Sequence, residues 1–268
     1  MKKRFLLVVL LVFCIGMMVS GCTVVKKDSL EYTLQKETNT YTVTAYKDLQ
    51  SVTTLTVPDE VDGIAVTEIA KHGLSNSDYL TEITLGDNIQ KIDVWAIRNN
   101  PALTKIIVSE NNANYKSVDG VLFSKDGKTL IAFPNKKADS YVIPEGVEKI
   151  EDMAFYKCSN LKEIKLSSTV KEVGDMAFLK ALALNKTTFN EGLNSIGKNA
   201  FLGCEKLTNI EIPKTIESIG EFAFYNCVNL LNIRVYKAEA DIGLGKKWYP
   251  TKAGQDIKEV QVIFGEAT

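Results

Sequence analysis

Ala-Phe pairs recur along the chain with a constant spacing of 23 residues. The four pairs are Ala154-Phe155, Ala177-Phe178, Ala200-Phe201 and Ala223-Phe224. A unit of this length cannot bury its own apolar face and must stack on copies of itself. The spacing therefore predicts a solenoid in which each unit forms one coil.

Other apolar columns keep the same register as the Ala-Phe pairs. In the last unit they are Ile219, Leu230, Ile233 and Val235. Two further units are recognisable upstream, with Gly73-Leu74 and Ala96-Ile97 in the place of Ala-Phe. The repeat therefore extends well beyond the four clearest units.

The register is interrupted once. Ile92 and Ile150 occupy the same column but are 58 residues apart, which is two periods plus 12 residues. Two strand-like runs, 120–124 and 129–133, flank the sequence Lys-Asp-Gly-Lys at 125–128. Asp-Gly between two such runs is typical of a β-hairpin. We therefore predict a hairpin insertion near residues 110–140.

The repeat resembles the BspA-type leucine-rich repeat family of bacterial surface proteins. Residues 207–213 match its pattern Leu-x-x-Ile-x-Ile-Pro, and residues 216–227 match Val-x-x-Ile-Gly-x-x-Ala-Phe-x-x-Cys, with Ile216 in place of the valine. The similarity covers about residues 31–238. It implies a β-rich, right-handed leucine-rich-repeat solenoid of about seven coils with short helical turns. It also implies a non-catalytic surface protein that takes part in adhesion or protein binding.

Residues 1–21 have the composition of a secretion signal. Three basic residues at 2–4 precede an uncharged apolar run of fifteen residues, 5–19, which is shorter than the roughly 17 to 25 residues of a spanning helix. The sequence Val19-Ser20-Gly21-Cys22 resembles a bacterial lipobox. We predict cleavage after residue 21 and lipidation of Cys22, which would anchor the protein extracytoplasmically at the bacterial cell surface. The alternative is an uncleaved membrane anchor.

The rest of the chain divides into a tether, two caps and the repeat array. Residues 22–30 are polar and lack apolar periodicity, which predicts a tether. Alternating residues on both sides of 36–40 predict a hairpin cap over 31–63, followed by repeats over 64–238. Trp248-Tyr249-Pro250 and the run 260–264 predict a second hairpin cap over 239–268.

Composition and motif spacing exclude several functions. The formal net charge is −1, and about −4 without residues 1–21, so the chain has no basic field for nucleic acid. His72 is the only histidine and has no nucleophile motif beside it. The run 243–247, Gly-Leu-Gly-Lys-Lys, lacks the spacing of a phosphate loop. We therefore predict no enzyme activity, no bound metal and no cofactor.

Three cysteines occupy one column of the repeat. Cys158, Cys204 and Cys227 each follow a column phenylalanine by three residues, and Ala181 takes this place in the intervening unit. They lack the Cys-x-x-Cys spacing of zinc sites. Their spacing favours small buried packing residues, with a Cys204–Cys227 disulfide as the alternative.

The outward positions of the predicted strands form the candidate binding surface for a protein or another surface macromolecule. The residues predicted to bind are Thr84, Lys105, Ile107, Lys162, Lys165, Lys186, Thr188, Asn209, Glu211 and Arg234. Their mixed charges suit a protein partner better than a polyanion. Ile107 is apolar on a face that is expected to meet water.

Several alternatives remain open from the sequence. One is a passive envelope role, and another is carbohydrate binding through Trp95, Tyr115, Trp248 or Tyr249. In the unit 170–192, Thr187 and Phe189 depart from the repeat, which predicts a repacked coil whose exposed edge is a second candidate interaction site. The column formed by Tyr156, Leu179, Leu202 and Tyr225 is either an apolar ridge or part of the core.

Overall fold

The computed structural model describes residues 24–27, 29–45, 52–250 and 259–265. These residues form a β-solenoid of about nine turns with a repeat of about 23 residues, which confirms the predicted fold class. Each turn has three sides: a strand of three or four residues, a second strand that is usually shorter, and a tight turn that carries the Ala-Phe pair. The turns outnumber the seven expected because two of them lie in segments predicted as caps.

The strands are numbered along the chain. The first nine are β1 (Val24–Lys27), β2 (Leu30–Gln35), β3 (Thr40–Ala45), β4 (Thr54–Val57), β5 (Glu60–Val61), β6 (Ile64–Ile69), β7 (Glu82–Leu85), β8 (Lys91–Ile92) and β9 (Lys105–Val108). The next seven are β10 (Tyr115–Val118), β11 (Val121–Ser124), β12 (Thr129–Ala132), β13 (Ser140–Val142), β14 (Lys149–Ile150), β15 (Glu163–Lys165) and β16 (Glu172–Val173). The last seven are β17 (Lys186–Thr188), β18 (Ser195–Ile196), β19 (Asn209–Ile212), β20 (Ser218–Ile219), β21 (Asn232–Val235), β22 (Gly243–Leu244) and β23 (Gln261–Phe264).

The first side of the turns, called the strand face, consists of β4, β7, β9, β13, β15, β17, β19, β21 and β23. Apolar residues point inward along these strands and polar residues outward, as in β7, where Ile83 and Leu85 are fully buried. The strands pair in parallel within three sheets of three strands each. The face is therefore not the single continuous sheet that uniform stacking predicts.

Two local features interrupt the strand face. Between β9 and β13 the insertion takes the place of a strand, and Gly120 O accepts a hydrogen bond from Ile106 N at 2.9 Å. Between β17 and β19 the ladder is absent where Thr187 replaces the usual isoleucine. Thr187 Oγ1 is buried without a hydrogen-bond partner among the described residues. The coil that contains Thr187 therefore departs from the regular repeat.

The second side of the turns is formed by β3, β6, β8, β12, β14, β16, β18, β20 and β22. Neighbours pair in parallel from β3 to β8 and from β12 to β22. A glycine follows the strand in several turns because successive turns pack very closely there. A Cβ on Gly220, for example, would collide with the backbone nitrogen of Lys198 in the preceding turn.

The third side, called the turn face, carries the Ala-Phe pairs. Phe155 N donates to Ala177 O at 2.7 Å, and equivalent bonds link the following turns. Two residues in such a turn have positive φ, as in Met153 (57°) and Lys157 (53°). This left-handed conformation interrupts helical geometry, so hydrogen-bonded turns stand where short helical turns were expected. The only helix in the described part of the chain is the 3-10 segment Glu239–Asp241.

A column of phenylalanine rings runs through the C-terminal half of the interior. Phe155, Phe178, Phe201 and Phe224 are fully buried, and successive ring centroids lie 4.7, 4.8 and 5.1 Å apart. Each such aromatic pair adds about 0.5–1.5 kcal/mol beyond the burial of apolar area. The N-terminal half has its own apolar cluster, which meets this one at the insertion.

An antiparallel hairpin of β2 and β3 covers the N-terminal end, as predicted. β3 pairs in parallel with β6 and thereby joins the hairpin to the stack. β1 adds a strand antiparallel to β2, so the segment Val24–Lys27 is not the predicted tether. Val25 packs against the apolar cluster, and Lys26 Nζ lies 3.0 Å from Glu31 Oε1. Four residues, of which only Val25 is partly buried, are too few for a strand pattern to be recognised in the sequence.

The insertion contains the predicted hairpin and one strand that the sequence does not indicate. β11 and β12 are antiparallel around residues 125–128, and β10 pairs with the other edge of β11. β11 is buried on both faces, because Leu122 packs in the N-terminal cluster while Val121 and Phe123 pack in the C-terminal one. The insertion therefore lies inside the stack and joins its two halves.

The C-terminal end continues the solenoid, so the predicted hairpin cap is wrong there. β22 pairs in parallel with β20, and β23 pairs in parallel with β21. Trp248 is buried with its ring centroid 6.3 Å from that of Phe224, and Phe224 N donates to Trp248 O at 2.7 Å. This last turn lacks an Ala-Phe pair, which is why the repeat register does not reveal it.

Candidate binding faces

All ten residues predicted to bind a partner lie on or beside the outward positions of the strand face. Seven are exposed, and Thr84, Ile107 and Arg234 are half-buried. Parallel register brings residues of neighbouring turns side by side, as with Lys165 and Thr188. The insertion and the break beside β17 divide this set into three groups, so the ten residues do not form one uninterrupted surface.

Three of the predicted basic residues pair with carboxylates of the preceding turn. The Nζ to carboxylate-oxygen distances are 3.6 Å for Lys105–Glu82, 3.4 Å for Lys162–Asp139 and 3.8 Å for Lys186–Glu163. Exposed pairs of this kind contribute about 0.2–1 kcal/mol. They align neighbouring turns and neutralise three of the six charged residues in the predicted set. Lys165 and Glu211 form no ion pair with any described residue.

Three apolar residues lie at outward positions around the insertion. Val142 of β13 is 61% exposed and Val118 of β10 is 47% exposed, whereas Ile107 of β9 is half-buried. Ser117 Oγ accepts a hydrogen bond from Val108 N at 3.1 Å, which holds β10 beside β9. We call Ile107, Val118 and Val142 the insertion patch. Only Ile107 was predicted, because the insertion hides the outward positions of the other two.

A cleft borders the insertion patch. It has a volume of about 200 Å³, and Val118 lines it together with Phe123, Pro144 and Val147. Lys116, Asp126 and Glu145 also line it. An apolar side chain of a partner would therefore meet an apolar lining with charges of both signs around it.

The aromatic residues considered for carbohydrate binding differ in accessibility. Trp248 is only 5% exposed and packs in the core, so of the four residues in the carbohydrate alternative it is not accessible to a sugar. Tyr249 is half-buried against Trp248, with ring centroids 4.8 Å apart. The Tyr115 hydroxyl donates to Gln90 O at 3.3 Å, and burial raises the pKa of this phenol. These three residues therefore serve packing.

Trp95 has a different environment, on the turn face. Its half-buried ring lies between His72 and Tyr156, at centroid distances of 5.6 and 5.8 Å. The residues of the column that follows the phenylalanines, Tyr156, Leu179, Leu202 and Tyr225, are also half-buried. This column is therefore a partly exposed apolar ridge rather than part of the core.

The cysteines of the repeat are packing residues, as predicted. Cys158, Cys204 and Cys227 are free and buried. Burial raises the pKa of all three thiols, that of Cys227 to about 12. Cys204 Sγ donates to Phe178 O at 3.1 Å, and Cys227 Sγ donates to Phe201 O at 3.2 Å. The alternative Cys204–Cys227 disulfide is not formed.

Metal-ligating clusters and membrane-spanning helices are both absent from residues 24–27, 29–45, 52–250 and 259–265. These residues contain no group of three or more metal-ligating side chains, and none of their helices is long and apolar enough to cross a membrane. An open groove of about 820 Å³ follows the second side of the turns, but close packing between turns accounts for the glycines along it. Residues 1–21 and Cys22 lie outside the described residues.

The three-sided turns, with one strand face and apolar columns in fixed register, define a leucine-rich-repeat β-solenoid. The chain belongs to the BspA type leucine rich repeat family, of which six repeat copies match residues 27–126 and 130–244. Proteins of this family are generally non-catalytic surface proteins. No curated protein matches the chain in sequence.

Solved structures of other bacterial proteins are similar in fold. The pneumococcal vaccine antigen PcpA is 17% identical, with a TM-score of 0.51 over 90% of this chain and 88% of that chain. A leucine rich cell surface protein from Faecalibacterium prausnitzii A2-165 is 18% identical, with a TM-score of 0.44 over 87% of this chain and 96% of that one. The T. pallidum leucine rich repeat protein is 18% identical, with a TM-score of 0.44 over 82% and 85%. At these identities the similarity concerns the fold alone.

Proposed function

We propose that this chain is a lipid-anchored cell-surface protein that binds another protein through its strand face, centred on the insertion patch. The observation that carries the proposal is the exposure of Val142 and Val118 on a face whose other outward residues are mostly polar and partly ion-paired. Exposed apolar side chains beside a cleft gain free energy when a partner covers them. The mixed charges around the cleft suit a protein surface.

The size of the effect follows from the exposed area. Complete burial of a valine side chain is worth about 1.5–3 kcal/mol, and roughly half of each side chain is exposed in Val118 and Val142. Covering both therefore contributes about 1.5–3 kcal/mol, which is roughly a tenfold to hundredfold change in affinity. A charge introduced at either position would remove this contribution and add a desolvation cost.

Val142→Glu tests the insertion patch, and Thr188→Glu, on the strand face but outside the patch, is its matched control. The two residues occupy the same outward column two turns apart, since Val142 pairs with Lys165 and Lys165 pairs with Thr188. Envelope and host-surface extracts are crosslinked to the full chain, and the adducts are identified by mass spectrometry. We expect a saturable adduct that Val142→Glu removes and Thr188→Glu retains, with unchanged circular dichroism. Retention in both variants would refute the patch, and absence of any adduct would favour a passive envelope role.

The proposed anchor rests on the residues around Cys22. β1 begins only two residues later, so a lipid on Cys22 would hold the N-terminal end of the solenoid within about 7 Å of the lipidated residue. Cys22→Ser should abolish incorporation of labelled fatty acid and release the protein from the membrane fraction. Cys14→Ser, inside the apolar run, is the control and should remain labelled. Labelling of the Cys22→Ser variant would contradict the anchor.

A further inference from the structure

A second cleft lies on the turn face. Its volume is about 210 Å³, and its lining includes Asn99, Pro101, Lys157, Lys180 and Leu182. Sites for drug-sized ligands measure about 300–1,000 Å³, so this cleft is of the size that holds a single sugar ring or side chain. None of the described residues that line it is a carboxylate.

Lys157 and Lys180 occupy the same position in adjacent turns. Lys157 N donates to Leu179 O at 2.9 Å, which places the two lysines in register. On the strand face, by contrast, a lysine stacks on a carboxylate, as with Lys186 and Glu163. Neither Lys157 nor Lys180 forms an ion pair with a described residue. An anion in the cleft would therefore supply the carboxylate partner that both lysines lack.

Aromatic and amide groups lie beside the cleft, in contact with Lys157. Lys157 Nζ lies 5.3 Å from the centroid of the Tyr156 ring and donates to Asn99 Oδ1 at 2.9 Å. Tyr156 in turn contacts Trp95, whose ring is half-buried. Aromatic rings pack against the C–H faces of a pyranose, while amides and ammonium groups bind its oxygens.

The insertion shortens one turn beside the cleft, and Asn135 of that turn is among the lining residues. Leu130 of the insertion turn pairs with Ile150 of the next turn. In the insertion turn the phenylalanine comes three residues after this position, at Phe133, whereas in the next turn it comes five residues after, at Phe155. The insertion turn is therefore two residues shorter in this segment than an ordinary turn. Arg98 donates to the carbonyl oxygens of residues 131 and 152 at 2.9 and 3.2 Å and so links the insertion turn to the turn that follows it.

We propose that this cleft binds a carboxylate-bearing sugar residue of a glycan. The carboxylate would lie between Lys157 and Lys180, and the sugar ring would pack against Leu182 and Pro101 beside the Asn99 amide. A neutral sugar would leave the two ammonium groups without a counter-charge. An acidic peptide would supply a carboxylate without a ring for the apolar side of the cleft. The site is on a different face from the insertion patch, so it does not depend on the proposed protein binding.

The test is calorimetric titration of the full chain in detergent with three acidic oligosaccharides: trigalacturonate, a hyaluronan tetrasaccharide and sialyllactose. We expect at least one of these oligosaccharides to bind saturably. Its methyl ester should bind at least about tenfold more weakly, and the affinity should fall at high salt. A peptide of glycine and aspartate serves as the charged control. Absence of saturable binding to all three, equal binding of the ester, or equal binding of the peptide would overturn the proposal.

Substitutions taken from the repeat itself keep the fold intact. Asparagine is chosen because Asn226, in the same column, also has a positive φ, of 58°. Lys157→Asn and Lys180→Asn should each weaken binding at least about fivefold. Tyr156→Leu installs the residue present at position 179 and should also weaken binding. Lys206→Asn, outside the cleft, installs the residue that Asn229 shows in the same column and should have no effect. If Lys206→Asn weakened binding equally, the effect would be one of net charge and the site would be refuted.

Discussion

Replacing Asn100 by alanine should destabilise this protein more than replacing a cysteine of the same column. Asn100 precedes Cys158 by 58 residues, the interval that separates Ile92 from Ile150, so it occupies the cysteine column. It is fully buried. Its Nδ2 donates to the carbonyl oxygens of residues 74 and 97 at 2.7 and 3.1 Å, and its Oδ1 accepts from the backbone nitrogen of residue 77 at 2.9 Å. One side chain thus links two turns.

The magnitude follows from the bonds that each variant loses. Asn100→Ala removes three side-chain hydrogen bonds at about 0.5–1.5 kcal/mol each, which gives roughly 1.5–4.5 kcal/mol. Cys204→Ala removes one thiol hydrogen bond, to Phe178 O at 3.1 Å, and should cost about 1 kcal/mol. Ala181 already stands in this column, so alanine is compatible with the packing.

Urea unfolding of the full chain, followed by far-ultraviolet circular dichroism, measures the difference. The midpoint should fall furthest for Asn100→Ala and least for Cys204→Ala. Asn100→Cys should lie between them, because a thiol can donate to Leu74 O but replaces the amide oxygen poorly as an acceptor. If Asn100→Ala cost no more than Cys204→Ala, the polar part of the column would not hold the N-terminal turns together.

Three further predictions concern stacking, titration and the insertion. Gly220→Ala should destabilise the protein by about 1–3 kcal/mol in urea unfolding, because the added Cβ would overlap Lys198 N. Gly243→Ala should be nearly neutral, because the atom nearest to its added Cβ is 3.5 Å away. The pKa of the Cys227 thiol is raised from 9.0 to about 12, so between these pH values the thiol is deprotonated in the unfolded state but not in the folded state. The unfolding free energy should therefore fall as pH rises from 9 towards 12. Cys227→Ala should make this fall less steep. Arg98→Lys should lower the midpoint by the loss of at least one bond to a buried carbonyl, about 1–3 kcal/mol, and an unchanged midpoint would contradict the bridging role.

The fold can be predicted because every regular turn repeats the same inward residues. Ile150, Val173 and Ile196 are all buried in paired short strands, and a spacing of 23 is enough to find them. The two end turns escape such a prediction because neither carries an Ala-Phe pair. The strand Val24–Lys27 escapes it because tertiary pairing with β2, rather than a local pattern, makes it a strand.

The candidate surfaces can be predicted less completely. Periodicity identifies outward positions but does not say which of them pair with each other, and three of the predicted lysines are paired with carboxylates one turn away. The exposed valines Val118 and Val142 cannot be assigned from the sequence, because 12 additional residues shift the register between them. Trp248 is wrongly expected at the surface because aromatic residues near a chain end give no sign of burial until the last turn is placed.

Both proposed sites lie beside the insertion. In the regular turns each outward residue lies next to its equivalent in the following turn, and several lysines there pair with a carboxylate, as Lys186 does with Glu163. The insertion interrupts this arrangement: Val118 and Val142 are exposed next to it, and Asn135 of the insertion turn lines the cleft that also contains Lys157. Recognition is therefore expected where the periodicity fails, while the regular turns provide the rigid frame.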